Sequence, residues 1–306
     1  MADVYKKPEG AEKNLVHLGL YISFFPQLIA GPVVRYHDIN EQIIRRKHSI
    51  ESFASGIERF IIGLSKKILI ANSMAGVADG IFAFPPDSVP YYYLVLGVIC
   101  YTFQIYYDFS GYSDMAVGLG KMFGFTILEN FNYPYISKTI TEFWRRWHIS
   151  LSSWFKDYLY IPLGGSRKGR MRTTVNLFIV FLTTGLWHGA GVNFVFWGFA
   201  HGLLLFAEKT LGGKIASAIP NRPLRNFLGH LYTPVCAGLL WVFFRCGMRQ
   251  SLRFLKELFT LNPGKETVML FIKTMINAPF LVSCIGAVIF SIPWRRIAAP
   301  YRFIVI

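Results

Sequence analysis

The sequence predicts an all-α fold embedded in a membrane. Of its 306 residues 53% are hydrophobic and 17% aromatic, and its mean hydropathy is positive. Charged residues make up only 16%, against about 25% in an ordinary soluble domain. The apolar residues also fall in long runs. A soluble domain of this length fills its core without so much apolar surface, so the surplus faces lipid.

A spanning helix needs about 20 mostly apolar residues. Six stretches come close: Leu15–Val34, Tyr91–Tyr107, Val175–Trp187, Val192–Phe206, Leu228–Phe244 and Val268–Ile292. Several are interrupted by Pro26, Gly31, Pro32, Gly185, Gly189, Gly191 or Gly198. Such breaks predict re-entrant or broken helices, tolerated at membrane depth only where protein or a water-lined cavity satisfies the freed backbone. An internal cavity is therefore expected.

Taken in order, the chain opens with a polar stretch, Met1–Asn14, which resembles a juxtamembrane loop more than a leader and predicts a start inside a longer parent. The block Leu15–Val34 is followed by Arg35–Ser52, rich in Arg, Lys and His, expected as an interfacial turn. From Phe53 to Phe84 apolar residues recur every three to four positions around Glu58, Arg59, Lys66 and Lys67, the pattern of an amphipathic helix lying on the bilayer or entering it obliquely. Pro85 and Pro86 break the chain, and Tyr91–Tyr93 fit an aromatic belt where the next span begins. That span meets Asp108 and passes into Phe109–Phe125, where Gly111, Gly118, Gly120 and Gly124 permit close helix packing. An Asp at a helix centre costs about 2.5–3.5 kcal/mol on insertion, so Asp108 and Asp114 are expected to face a cavity, a partner or an interface.

Residues 129–174 form a basic segment, expected to be cytoplasmic or re-entrant, and residues 175–210 two histidine-bearing helices. A loop at Pro220–Arg225, a span from Leu228, a basic loop at Arg245–Lys256 and a final span closed by Trp294, Arg295 and Arg296 complete one membrane-embedded domain over 1–306.

The net charge of +15 admits nucleic acid, anionic lipid or cytoplasmic loops as its reason. Its distribution decides. Between Lys138 and Arg172, eight Lys and Arg face Glu142 and Asp157, which marks a cytoplasmic face and makes nucleic acid unnecessary. Cys100, Cys236, Cys246 and Cys284 form no CxxC pair, so neither a metal site nor a disulfide frame is indicated, and they read as small buried hydrophobes.

Three stretches crowd polar, aromatic and glycine residues where lipid-facing helices are plainly apolar. They are Gln104–Asp114 (QIYYDFSGYSD), Phe143–Gly165 (FWRRWHISLSSWFKDYLYIPLGG), and Gly185–Ala190 (GLWHGA) with Trp197–Gly202 (WGFAHG). Together and in this order they resemble the membrane-bound O-acyltransferase family, in the branch that includes bacterial alginate O-acetyltransferases. The resemblance covers roughly Leu15 to Glu208 and rests beyond Leu211 on hydropathy only. The family's usual N-terminal spans are absent, which agrees with the polar start.

The resemblance implies a bundle of spanning and re-entrant helices around a tunnel in a bacterial inner or cytoplasmic membrane. The acyl donor, acetyl-CoA or another acyl thioester, would enter from the cytoplasm, and the acceptor hydroxyl from the opposite side. It implies no bound cofactor, contact with membrane lipid, and acetyl groups bound for an exported polysaccharide through periplasmic or extracellular acyltransferase partners. D-alanyl or other acyl transfer to a cell-envelope polymer is the alternative enzyme reading. A non-enzymatic multi-span transporter should show paired halves with corresponding breaks, which the sequence lacks.

The family's catalytic histidine matches His188 in its Trp-His-Gly context. A neutral imidazole survives burial at modest cost and can take a proton from a hydroxyl, worth roughly 10²–10⁴ in rate; the alternative is a structural histidine bonded between helices. His201 lies thirteen residues on, about 220° round an ideal helix, so the two rings share a face only if the helix breaks, for which Gly189 and Gly191 are placed. It either assists at the site or packs. His148, in the basic segment, could help bind the donor or be purely structural, with structure favoured. Arg145, Arg146 and Lys156 are candidates for the phosphates of an acyl-CoA, against the ordinary roles of basic residues toward anionic lipid and topology. Asp108 and Asp114 could orient a histidine or hydroxyl, with helix-to-helix hydrogen bonding favoured, and Asn193 is a candidate to steady an oxyanion. Trp144, Trp147, Trp154 and Trp187 read as packing and interfacial anchors.

Overall fold

The computed structural model describes residues 11–28 and 31–294. Thirteen α-helices and no strand lie among the described residues. Helix α1, Leu15–Ile22, starts where the Asn14 side chain accepts from the Val16 and His17 N–H groups. Its eight residues rise only about 12 Å, and a 3₁₀ turn at Phe25–Gln27 carrying Pro26 follows. The first apolar block is therefore no single spanning helix, because proline removes a helical donor and clashes with the preceding turn; Ile29 and Ala30 of that block lie outside the described residues. The expected interfacial turn is also corrected. Helix α2, Tyr36–Arg45, forms there, with the Asp38 carboxylate accepting from the Arg35 N–H at 3.0 Å and Ile39 and Ile43 buried one turn apart.

Helix α3, Ile50–Ser65, continues through a π-helical turn at Lys66–Ala71 into α4, Asn72–Ala83. This run of 34 residues is long and apolar enough to cross a membrane. The expected amphipathic run is thus one helical stretch of spanning length, and its cations meet carboxylates. Arg59 and Lys66 pair with Asp114, and Lys67 with Asp108, on helix α5, Tyr91–Met122. Helix α5 is continuous through Asp108 into Phe109–Met122.

The short helices α6, Ile140–Trp144, and α7, Ile149–Phe155, occupy the basic segment, followed by a π-helical turn at Lys156–Tyr160. Helices α8, Gly169–His188, and α9, Val192–Ala218, carry the two histidines of residues 175–210. Helix α10, Arg222–Arg245, is the second helix long and apolar enough to cross a membrane, and it accommodates Pro234 in its interior. The amphipathic α11, Met248–Phe259, follows. Helices α12, Glu266–Met275, and α13, Ala278–Phe290, form a pair bent by 73°, a third span if taken together. Asn277 caps α13 and Pro279 stands in its first turn, so the expected last span is broken there. Arg295 and Arg296, expected to close it, lie outside the described residues.

The described chain resolves into two compact units. One holds the described residues up to Lys67 with Asp108–Phe131 and His148–Val180. Its core gathers Phe24, Val34, Ile39, Ile43, Val117, Phe125 and Ile127. In this unit α3 touches α5 at two glycine pairs. A Cβ at Gly63 would meet the Gly111 carbonyl oxygen at 2.5 Å, and one at Gly118 the Gly56 carbonyl oxygen at 2.6 Å. Small residues let the two backbones approach this closely. The other unit holds Ile68–Tyr107, Asn132–Trp147 and the described residues from Phe181, and its core is dominated by aromatic rings.

Candidate active site

The second unit is built around a hairpin. Helix α8 ends at His188, the chain turns through Gly189–Gly191, and α9 returns from Val192. Its two arms lie in contact because glycine faces backbone on both sides. A Cβ at Gly198 would meet the Phe181 carbonyl oxygen at 2.2 Å, and one at Gly185 the Phe194 carbonyl oxygen at 2.3 Å. Asn193 fastens the turn, its Nδ2 donating to the Phe243 carbonyl at 3.0 Å.

Trp197, only 1% exposed, lies against both histidines. Its ring centroid is 5.5 Å from that of His188 and 4.8 Å from that of His201. The helix break thus sets on one indole two imidazoles that an unbroken helix would hold on different faces. Their surroundings differ. His188 is half-buried between Trp187, Trp197 and Phe244, with ring centroids 4.8–5.5 Å away, and neither of its nitrogens takes part in a hydrogen bond among the described residues. His201 is fully buried. The Trp144 Nε1–H donates to its Nδ1 at 3.3 Å. Indole nitrogen only donates, so His201 is a neutral ring with its proton on Nε2, an atom that finds no partner among the described residues.

Helix α6 presents Trp144 because its amino end is held from outside. The Glu208 carboxylate of α9 accepts from the Ile140 and Thr141 N–H groups and from the Thr141 hydroxyl, and Thr139 caps the Glu142 N–H. Behind it Trp147 stacks on Phe143 and packs on Trp241, which lies 5.7 Å from Trp197. The Trp241 Nε1–H donates to the Tyr135 hydroxyl.

The charged candidates are distributed otherwise. Arg146 is occupied by the Glu142 carboxylate at 2.8 Å and the Asn132 carbonyl at 3.1 Å. Arg145 and Lys156 are exposed. Arg145 and Arg146 belong to the second unit and Lys156 to the first. Asp114, in the first unit, accepts from Arg59 Nη2 at 2.7 Å and Lys66 Nζ at 2.6 Å, and Arg59 reaches on to Glu129 at 2.5 Å. Asp108 pairs with Lys67.

Sequence reasoning passed over a second polar cluster, also in the first unit. His148 sits at the start of α7 with φ of 45°, a conformation uncommon outside glycine. Its Nδ1 lies 3.1 Å from Asn130 Oδ1, which also accepts from the Ser150 N–H and hydroxyl, while Asn130 Nδ2 donates to Ser113. Since Oδ1 can only accept, Nδ1 of His148 carries the proton. The one signal in the sequence was a histidine among aromatic residues; its partner stands eighteen positions away. Among the described residues no group of three His, Cys, Asp or Glu side chains is placed to hold a metal ion.

The profile of the membrane-bound O-acyltransferase family (MBOAT) matches residues 12–248. The chain is 47% identical over 243 residues to the probable alginate O-acetylase AlgI of Pseudomonas fluorescens, covering 79% of this chain and 48% of that protein. It is 41% identical over 254 residues to the peptidoglycan O-acetyltransferase of Helicobacter pylori, covering 81% and 47%. With the teichoic acid D-alanyltransferase of Bacillus subtilis it shares 31% over 217 residues, covering 65% and 54%. It thus spans about half the length of the curated relatives it matches. On a family profile that covers most of its length, the chain belongs to the membrane-bound O-acyltransferase family, in its alginate O-acetyltransferase-like branch.

Proposed function

We propose that this chain carries the catalytic histidine of a membrane O-acyltransferase that moves an acetyl group from a cytoplasmic acyl thioester toward hydroxyls of an exported polysaccharide such as alginate. The observation that carries the reading is His188: a half-buried imidazole at a helix end, held on edge by Trp197 and Phe244, with neither nitrogen hydrogen-bonded among the described residues. The ring takes the proton of the acceptor hydroxyl as its oxygen attacks the thioester carbonyl carbon. The new C–O bond forms, the C–S bond breaks, and the departing thiolate receives the proton from the imidazolium. Holding both reactants at one ring supplies the proximity part of the rate, and general-base action contributes roughly 10²–10⁴ more.

His201 is a positioning residue in this scheme, acting through Trp197, with which it shares a ring contact. Acetyl is preferred over D-alanyl because the relatives named as O-acetylases or O-acetyltransferases share 41–49% identity with the chain, against 31% for the B. subtilis D-alanyltransferase. Acetyl-CoA is the proposed donor. Its phosphates are proposed to meet Arg145 and Lys156, with Arg146 available only by releasing Glu142. Passage to the polymer would use further envelope proteins outside the membrane.

The test is transfer of label from acetyl-CoA to envelope polymer in membranes containing the protein. Replacing His188 by Ala is expected to lower transfer by about 10²–10⁴ with insertion unchanged. Undiminished transfer from a normally inserted variant would remove the enzyme reading.

A further inference from the structure

Two helices long and apolar enough to cross a membrane end at one place. The run Ile50–Ala83 stops at Phe84, and α10 stops at Arg245, with Cys246 and Gly247 between it and α11. Between these ends lies a pocket of about 370 Å³ lined by Ala83, Phe84, Pro85, Pro86, Arg249, Gln250 and Arg253. Its position at two span ends puts it at a membrane surface.

The walls are fixed. Phe82 stacks on Phe254 of α11 at 4.7 Å, the Gln250 amide donates to the Phe82 carbonyl at 3.2 Å, and the buried Ser251 hydroxyl bonds to the Val242 and Cys246 carbonyls. Two prolines form the opposite wall. Arg249 and Arg253, one turn apart on α11, present side chains whose roots are about 5–6 Å apart.

The charges in this pocket lack partners. Arg245 close by is taken by Asp79 at 2.5 Å, and Lys256 lies near Glu257 at 3.5 Å. Arg249 and Arg253 are exposed and make no ion pair among the described residues. Asp87, on the adjoining loop, is exposed and does not line the pocket. Arg249 also stands in the first turn of α11, where the helix dipole opposes a cation and favours an anion. Two unpaired guanidiniums in this pocket are a poor arrangement alone and a good one around an anion, which they can grip in paired hydrogen bonds. Leu252 and Phe259 on the same helix are 54% and 69% exposed. A helix that displays large apolar side chains beside cations lies in the headgroup layer, its apolar face against acyl chains.

We propose that Arg249 and Arg253 bind the phosphate of an anionic phospholipid headgroup, with Leu252 and Phe259 against its tails. This site is independent of the acyl-transfer reading.

The full chain, reconstituted in bilayers of phosphatidylglycerol and phosphatidylcholine and released into native mass spectrometry, tests it. The wild type is expected to retain one phosphatidylglycerol that the double variant Arg249→Gln, Arg253→Gln releases, with affinity about thirtyfold weaker. The control Arg222→Gln should keep it. Circular dichroism of each variant verifies helix content, and spin-labelled phosphatidylglycerol in the same bilayers should be immobilised by the wild type and freed in the double variant. Equal retention and equal immobilisation by wild type and double variant would overturn the proposal. So would displacement of the lipid by millimolar inorganic phosphate alone, which would mark a site for free anion.

Discussion

His188 and His201 stand thirteen positions apart and share Trp197, yet the structure treats them oppositely. His188 is half-buried, its nitrogens without a hydrogen bond among the described residues; His201 is sealed and fixed in one tautomer by Trp144. In the proposed scheme His188 is the ring that meets a reactant, and His201 serves the architecture. Asn193, a candidate from the sequence for steadying an oxyanion, has its amide committed to the Phe243 carbonyl. Asn193→Ala is therefore expected to lower stability by about 1 kcal/mol, read as a fall in the melting temperature, with residual transfer per folded molecule largely kept. A large loss of turnover at unchanged stability would instead return Asn193 to the reaction. Of these details the sequence displayed the glycines that break the helix and the motif around His188. It could not display Trp144 as the partner of His201, because that bond joins residues 57 positions apart through the placing of α6.

Helix α6 illustrates what an element needs beyond its own residues. Five residues are too few to hold a helix in water, and α6 persists because Thr139 caps it and Glu208 from α9 satisfies its first N–H groups. Glu208→Ala leaves those donors without a side-chain acceptor. The expected cost is about 1–2 kcal/mol, and because α6 carries Trp144, the variant should also disturb His201, visible as a shift of its imidazole NMR resonances. Unchanged stability and unchanged resonances would show that α6 is held by packing alone. The charged face of α3 teaches the same point. Arg59, Lys66 and Lys67 read as the polar positions of an amphipathic helix, and a sequence pattern has no means of showing that Asp114 and Asp108, 41 to 55 positions later, receive them. The two glycine pairs between α3 and α5 were legible only in part: Gly111 and Gly118 marked a close approach, but not which helix approaches.

For the whole molecule, composition settled the class and left the count of spans open. Six apolar stretches were expected to approach spanning length, whereas two helices meet it outright and a third does so as a bent pair. The difference has a physical source: the runs Tyr91–Tyr107, Val175–Trp187 and Val192–Phe206 are shorter than the roughly 20 apolar residues a span needs, and Asp108, Arg172 and Glu208 stand just beyond them. Helices so bounded suit a protein that encloses a polar route, since their ionisable groups must face partners or a cavity. The account depends on such a route reaching position 188. In a chain with its four cysteines replaced, His188→Cys should react with membrane-impermeant thiol reagents, and acetyl-CoA added from the cytoplasmic face should slow that labelling. A thiol at position 188 that reacts from neither side of an intact membrane would contradict it.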